Sequence, residues 1–433
     1  MAEVLPFRGL RYAETDLSAL ICPPYDVISP AEQQELYRRS PLNVVRLECG
    51  EARPHDGPSE NRYTRAAATL REWLDRRILV RDALQSFYVH DQRFEHEGRR
   101  LTRRGLFARV RLHDWDEGPI RPHEHTLSQP KEDRLQLLRA TRLNISPIMA
   151  LYRDEDARVR GAVDAAGVEA RLLATARSEG EEHDIHRIDD DATTSSLAAL
   201  FRDKTLYVVD GHHRYETALA YLKERRSQAR TWTGDEPENF VLMALVARED
   251  PGLLVLPTHR LLKGVSVPDD LPARLERSFV VEDVSDVARD WPELRSLLAA
   301  KSEELAAFAL AMDDGRRVIA QARDAASIAD DVPADAPASW RSLDAAVLQE
   351  VVLRGILGID QQRAAADGSM AFTHDGDEAL RLVASGAYGL VFLLRPTPVD
   401  GVLALADAGE RMPQKSTYFH PKLPAGLVMN PLD

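Results

Sequence analysis

The stretch Asp210-Gly211-His212-His213-Arg214 sets a carboxylate, a glycine, two imidazoles and a guanidinium side by side. Ahead of it, Leu206-Tyr-Val-Val is apolar enough for a short buried strand. After it, Tyr215, Ala218, Leu219 and Leu222 recur at helical spacing. A turn at Asp210-Gly211 therefore joins a strand to the N-terminus of a helix. Backbone N–H groups and a partial positive charge make such an end an anion site, and Arg and His side chains strengthen it for phosphate. The alternative is a glycine turn whose polar residues are simply solvated.

Four other clusters carry reactive groups. Arg121-Pro122-His123-Glu124-His125-Thr126 puts a carboxylate between two histidines on a loop, where a general base can sit. Its H-x-H spacing also reads as a metal pair, with no cysteine ligand nearby, and the whole also reads as solvated loop. Pro257-Thr258-His259-Arg260 follows an expected strand at 253–256. There a hydroxyl, an imidazole and a guanidinium either meet an anion or cap the strand end with Arg260 ion-paired. Lys415-Ser416-Thr417 lies in the polar stretch 412–422 and resembles the tail of a phosphate loop. The glycines of a Walker A sequence are missing before it, so it reads as pocket lining or as solvated chain. Pro23-Pro24-Tyr25-Asp26 either presents Tyr25 and Asp26 on a rigid turn or packs Tyr25 on a neighbour.

The elements that must hold these groups alternate between strand and helix patterns. Ser29-Pro30-Ala31-Glu32 is a capping box that opens a helix. Tyr63, Ala66, Ala67, Leu70, Trp73 and Leu74 share one face of a second. Runs at 86–90 and 106–112 read as strands, with Arg99-Arg100 and Arg103-Arg104 on a solvated hairpin between them. A helix is expected from near Lys131 to Leu143, strands at 147–152 and 240–246, and an exposed helix pair or hairpin over 155–177. Further on, Asp313-Asp314-Gly315 is a hairpin signal between 308–312 and 318–320. Residues 343–357 form an amphipathic helix and 388–394 a buried strand, while the Pro/Ala/Asp-rich 330–339 is the best linker.

The chain has 433 residues, a formal charge of -14 and two cysteines, Cys22 and Cys49. That length suits two or three domains with real cores. The acidic balance argues against a nucleic-acid surface, and two cysteines make no disulfide scaffold. With no signal-peptide layout and no apolar run of membrane-span length, the expectation is a cytoplasmic protein with no membrane partner.

The whole chain is identified as a member of an uncharacterised bacterial and archaeal family, domain of unknown function ten-fifteen. The resemblance rests on Pro-Pro-Tyr-Asp-Val-Ile-Ser (23–29), Pro-His-Glu-His-Thr (122–126) with Asp133-Arg134-Leu135, and Asp-Gly-His-His-Arg-Tyr-Glu-Thr-Ala (210–218). It also rests on Asp-Pro-Gly-Leu (250–253) with Pro-Thr-His-Arg (257–260), and on Met-Pro-Gln-Lys-Ser-Thr-Tyr-Phe (412–419). The middle segment alone, with Pro-His-Glu followed downstream by Asp-Gly-His-His-Arg, is similar to the free-serine kinases of the ParB/sulfiredoxin superfamily. In those enzymes the glutamate of the first motif acts as base on the substrate hydroxyl, and the second motif holds nucleotide phosphate.

The resemblance implies an α+β, mixed-sheet protein. A ParB/sulfiredoxin-like core at 116–262 would be flanked by α/β segments at 1–115 and 263–433. It further implies a kinase that uses Mg²⁺ with ATP or ADP on a small hydroxyl substrate, free L-serine first, giving O-phosphoserine. Glu124, Asp210 and His212 would be catalytic. Phosphate handling would fall to Gly211, His213, Arg214, His123, Thr258, His259, Arg260, Lys415, Ser416 and Thr417. Asp210 would bind Mg²⁺, orient a histidine or cap the helix. Two other readings stand beside the kinase: a nucleotide-binding switch of the same superfamily, and a phosphoester or metal-dependent hydrolase. The donor, the acceptor and the oligomeric state are left open.

Overall fold

A computed structural model describes residues 1–433 except 125, 127, 265–267, 329–339 and 341–342, and leaves the side chains of 128–130 undescribed. The expected linker at 330–339 and His125 thus lie outside the described residues. Contacts group the chain into two units. The first comprises Met1–Pro122, Thr126–Leu253 and Pro421–Asp433, and the second His123–His125 and Leu254–His420.

The first unit is built on one mixed sheet. Its strands run in the order Ile120–Pro122, Leu206–Asp210, Ile148–Tyr152, Phe240–Ala247, Arg99–Arg111, Phe87–His96, Glu181–Ile188 and Arg171–Ser178. Val4–Leu5 also pairs with Arg99–Arg111. Leu206–Asp210 is parallel to Ile120–Pro122 and antiparallel to Ile148–Tyr152. Strands from both sides of residue 115 interleave here, so the expected segments 1–115 and 116–262 share one sheet, and 421–433 returns to the same unit, pairing Asn430–Pro431 with Leu143–Asn144. One core is formed by Val89, Ala108, Val110, Ile148, Ala150, Val208, Tyr215 and Met243 with the helical residues Val159, Val163 and Leu197.

The capping box at Ser29 is present, with Glu32 reaching back to the Ser29 N–H at 2.8 Å and the helix running Pro30–Arg39. The second helix spans Arg62–Asp75 and buries Ala66, Leu70 and Trp73. Two readings of this region need correction. The residues 155–177 form a helix, Arg158–Glu169, and then the first strand of a hairpin, Arg171–Ser178. The strands of the arginine-rich hairpin run up to a turn at Glu97-Gly98, so Arg103 and Arg104 are within a strand. Arg103 is 1% exposed, because its guanidinium finds acceptors inside the fold.

The second unit has a six-stranded antiparallel sheet: Phe279–Asp283, Arg317–Ala322, Ala307–Met312, Leu390–Leu394, His259–Leu262 and Met370–Thr373. Successive residues of one strand point to opposite faces. Phe308, Leu310 and Met312 enter one core, and Ala307, Ala309 and Ala311 the other. Burial of both faces explains the unbroken apolar runs, although parallel sheets are the commoner home of such runs. The expected hairpin is present, with Gly315 at φ 90° in its turn. The expected helix 343–357 is only briefly α, over Asp344–Val347, and continues as a π-helix through Leu348–Ile356.

Candidate anion-binding site

In the first unit the strand ends at Asp210 and the helix His212–Gln228 begins two residues later. Gly211 between them has φ 90°, a left-handed conformation that glycine adopts without strain. A Cβ there would lie 2.9 Å from Arg214 Nε, so the bare glycine also lets the guanidinium fold back over the turn. Tyr215, Ala218 and Leu219 anchor the inner face of the helix in the core. Tyr215 also stacks on Trp115 at 4.1 Å and donates to the His113 carbonyl at 2.8 Å. Among the described residues no side chain caps the helix.

Two cations clasp Asp210. Arg214 Nη2 donates to Oδ2 at 2.6 Å, and Lys422 Nζ donates to Oδ1. Burial pushes the carboxyl upward, but the charges of Lys422 and Arg214 outweigh it and hold Asp210 well below the usual carboxylate range. Arg214 donates through Nη1 to the Pro147 carbonyl, and its Nε has no hydrogen-bond partner among the described residues. It also lines a cavity of about 50 Å³ with Glu48, Arg134, Ser146 and Thr217. The junction is therefore a helix N-terminus with two cations on one carboxylate and with Asp26 and Glu48 also acting on Arg214, and its helix end and cations are groups that suit phosphate.

As arranged, Asp210 does not fit a magnesium ligand. Both of its oxygens accept from cations, whose positive charge would repel a divalent ion. Among the described residues, no three His, Cys, Asp or Glu side chains group as a metal site. The second histidine of the H-x-H pair, His125, lies outside the described residues. His123 itself is buried, with Nε2 3.0 Å from Thr417 Oγ1.

The second unit gathers the remaining candidates. Glu124 bridges to Met412, and the Met412 N–H donates to the His123 carbonyl at 2.7 Å. Lys415 has φ 60°, and its carbonyl accepts from Arg260 Nη2 at 3.2 Å. Ser416 Oγ donates to the Pro413 carbonyl at 2.6 Å. The loop 412–417 is thus tied down at three points. Thr258, His259 and Arg260 do follow a strand, Leu254–Leu256, as their sequence position suggested, but His259 and Arg260 also open the next strand, His259–Leu262, and both are 0% exposed.

Burial, then the neighbouring Arg260, pushes the His259 imidazole down to about 3, which keeps it neutral. Its Nδ1 accepts from the Leu394 N–H at 3.1 Å. Arg260 donates through Nη1 to the Thr258 carbonyl, and Glu124 supplies the opposite charge that its guanidinium feels. Thr258 Oγ1, His259 Nε2 and Arg260 Nε are buried with no hydrogen-bond partner among the described residues.

Two features of the first unit escaped the sequence. Lys422 is the second cation on Asp210, 212 positions away, and only its place in the polar stretch 412–422 hinted at a role. Tyr25 and Asp26 contribute to the electrostatic surroundings of Arg214, and the Tyr25 ring lies 4.0 Å from the Arg134 guanidinium. The Pro-Pro-Tyr-Asp turn thus packs its tyrosine and also belongs to the neighbourhood of the junction.

Fold and site together define an α+β, mixed-sheet protein that carries a cation-clasped carboxylate at a helix N-terminus. The chain belongs to the family described as "Protein of unknown function (DUF1015)", matched over residues 4–346. No curated protein matches it in sequence. Among solved structures it is similar to a free serine kinase in complex with AMP, with TM-score 0.36, 15% identity, and coverage of 75% of this chain and 92% of that one. A conserved hypothetical protein from Pyrococcus furiosus gives TM-score 0.35 and 15% identity over 74% of this chain and 93% of that one. SbnI with a C-terminal truncation, from Staphylococcus aureus, gives 0.35 and 11% over 73% and 84%. Likeness at this level assigns no role to any residue here. Among the described residues, no helix is long and apolar enough to cross a membrane.

Proposed function

We propose that the protein is a nucleotide-dependent phosphotransferase acting on the hydroxyl of a small acceptor, with free L-serine the first acceptor to test. The observation that carries this reading is the Asp210–Lys422–Arg214 cluster at the uncapped start of His212–Gln228. Phosphoryl transfer needs mainly positioning and charge stabilisation around the moving group. Main-chain N–H groups of the helix, Arg214 and Lys422 have that chemistry, with His212 and His213 on the same turn. The nucleotide's terminal P–O bond breaks, a P–O bond to the acceptor oxygen forms, and the hydroxyl proton passes to a carboxylate. Glu124 is the carboxylate that the Pro-His-Glu motif nominates, and Arg260 gives it a compensating charge. His123, Thr258, His259 and Lys415–Thr417 are assigned to the support of Glu124 and its loop. No step is routed through a metal on Asp210.

The test is incubation of the full chain with ATP or ADP and a panel of hydroxyl-bearing amino acids, followed by phosphorus NMR. O-phosphoserine, or another phosphomonoester, is the expected product. Glu124→Gln should lower turnover by at least about 100-fold and leave ADP affinity within about twofold. Release of inorganic phosphate alone would identify a hydrolase, and nucleotide binding without turnover a switch. Either result would sink the kinase reading.

A further inference from the structure

The sheet of the first unit buries a row of polar residues that the proposed chemistry does not use. Arg103 and Gln92 are direct cross-strand partners, and His183 is the partner of Gln92 on the next strand. All three are at most 1% exposed. Buried polar groups at the centre of a sheet are costly unless bonded, so their acceptors reveal what they serve.

The row grips the main chain next to Asp210's second cation. Arg103 Nη2 donates to Gln92 Oε1 and to the Pro421 carbonyl, each at 2.5 Å. Gln92 Nε2 donates to the Lys422 carbonyl at 3.1 Å and to Glu181 Oε2 at 2.6 Å. Two successive carbonyls are thereby fixed from one cross-strand pair. The Lys422 side chain then extends from this clamped backbone to Asp210. Glu181 holds the free end of Gln92, and His183 Nε2 lies 3.5 Å from the same Glu181 oxygen.

We propose that Gln92 and Arg103 are positioning residues: they clamp the Pro421–Lys422 main chain so that the Lys422 ammonium reaches Asp210 and completes the anion site. This rests on the phosphate-binding reading of that junction. A lysine carries four rotatable bonds, so its ammonium is delivered to one place only if its backbone is held. Both hold the Pro421–Lys422 main chain rather than the Lys422 ammonium, and the Arg103 guanidinium also feels the Asp210 charge.

The experiment compares Gln92→Met, Arg103→Lys, Lys422→Met and the double variant Gln92→Met/Lys422→Met in the full chain. ADP affinity is measured by calorimetry, and acylation of each lysine by mass spectrometry. Lys204, also in the first unit and ion-paired with Asp154 at 3.1 Å, is the internal control for general loosening. Gln92→Met should weaken ADP binding about tenfold, the scale of one charge-assisted hydrogen bond. It should also raise Lys422 acylation several-fold relative to Lys204. The double variant should bind ADP no more weakly than Lys422→Met alone, because both act through one group. Arg103→Lys, which retains a donor for Pro421, should bind ADP more tightly than Gln92→Met does.

Additive losses in the double variant, or Lys422 and Lys204 exposed in step, would overturn the positioning role in favour of plain structural support. If the unsubstituted protein fails to bind ADP, the functional reading fails. The acylation ratio alone then decides whether the clamp exists.

Discussion

Replacing Lys422 by methionine removes one of two cations from a buried carboxylate and leaves a side chain of similar length. The Lys422 and Asp210 side chains are 15% and 11% exposed, so solvent screens the pair little. A charge-assisted hydrogen bond of this kind contributes about 1.5–3 kcal/mol. Arg214 still covers the other oxygen at 2.6 Å, so the loss should stay below the roughly 3–5 kcal/mol of a fully orphaned buried charge. We expect about 2 kcal/mol, which is roughly 4–8 °C in Tm for a unit of this size.

Acidity supplies a second reading of the same variant. Asp210 is held below its ordinary range, and a depressed carboxyl contributes stability above its unfolded pKa of about 3.9. That contribution is lost as pH falls through the folded value. Lys422→Met raises the folded value, so the gap to the unsubstituted protein should be full at pH 7 and should close only as pH falls from the variant's folded value toward the lower one of the unsubstituted protein. Arg100→Met is the control: its pair with Glu182 is 70% and 37% exposed and should contribute under about 0.5 kcal/mol. Scanning calorimetry from pH 7 down to about pH 1.5 reads both effects. A Lys422→Met Tm within a degree of the Arg100→Met value, or a gap independent of pH, would refute the reasoning.

Gly211→Ala should cost about 1–2 kcal/mol for its left-handed backbone and should displace Arg214, whose Nε would lie 2.9 Å from the new methyl group. A thermal melt with unchanged Tm and unchanged ADP affinity would contradict this. Gly376→Ala drives a methyl group to 2.3 Å from the Trp291 ring, and overpacking there should destabilise the second unit by about 3 kcal/mol. Limited proteolysis should then cut first within Leu254–His420. His259 and His183 are pushed down to about 3 and about 4, by burial first and by a nearby arginine second. An unfolded chain protonates both below about pH 6.5, so stability is intact above that pH and declines beneath it, by about 2 kcal/mol per histidine at pH 5. Equal urea midpoints at pH 7 and pH 5 would show that these histidines do not matter.

What could be read from sequence was local. Ser29 and Glu32 are three residues apart, Asp313 to Gly315 is one turn, and Asp210 to Arg214 spans a single strand-to-helix step. In each case neighbours along the chain supply the chemistry. Arg103 misled because four arginines near a hairpin look solvated, whereas Gln92 on the next strand and a carbonyl 318 positions away help make its burial tolerable. Pro257 to Arg260 follows the strand Leu254–Leu256 as its position suggests, but the strand that His259 opens is hidden because the short run 259–262 shows no alternation, both faces of its sheet being buried. The π-helix at Leu348–Ile356 shares its apolar spacing with an α-helix closely enough that periodicity does not separate them. Lys422 had no local signal beyond its place in the polar stretch 412–422, since its partner Asp210 is 212 positions away.

The distance along the chain between Asp210 and Lys422 also has a consequence for biosynthesis. Lys422 leaves the ribosome 212 residues after Asp210, an interval of roughly 10–40 s at ordinary translation rates. Throughout that interval the nascent carboxylate has Arg214 as its only partner from this pair of cations, while the whole of Leu254–His420 is being made. The anion site is therefore assembled late, after most of the polypeptide that surrounds it in sequence has already been synthesised.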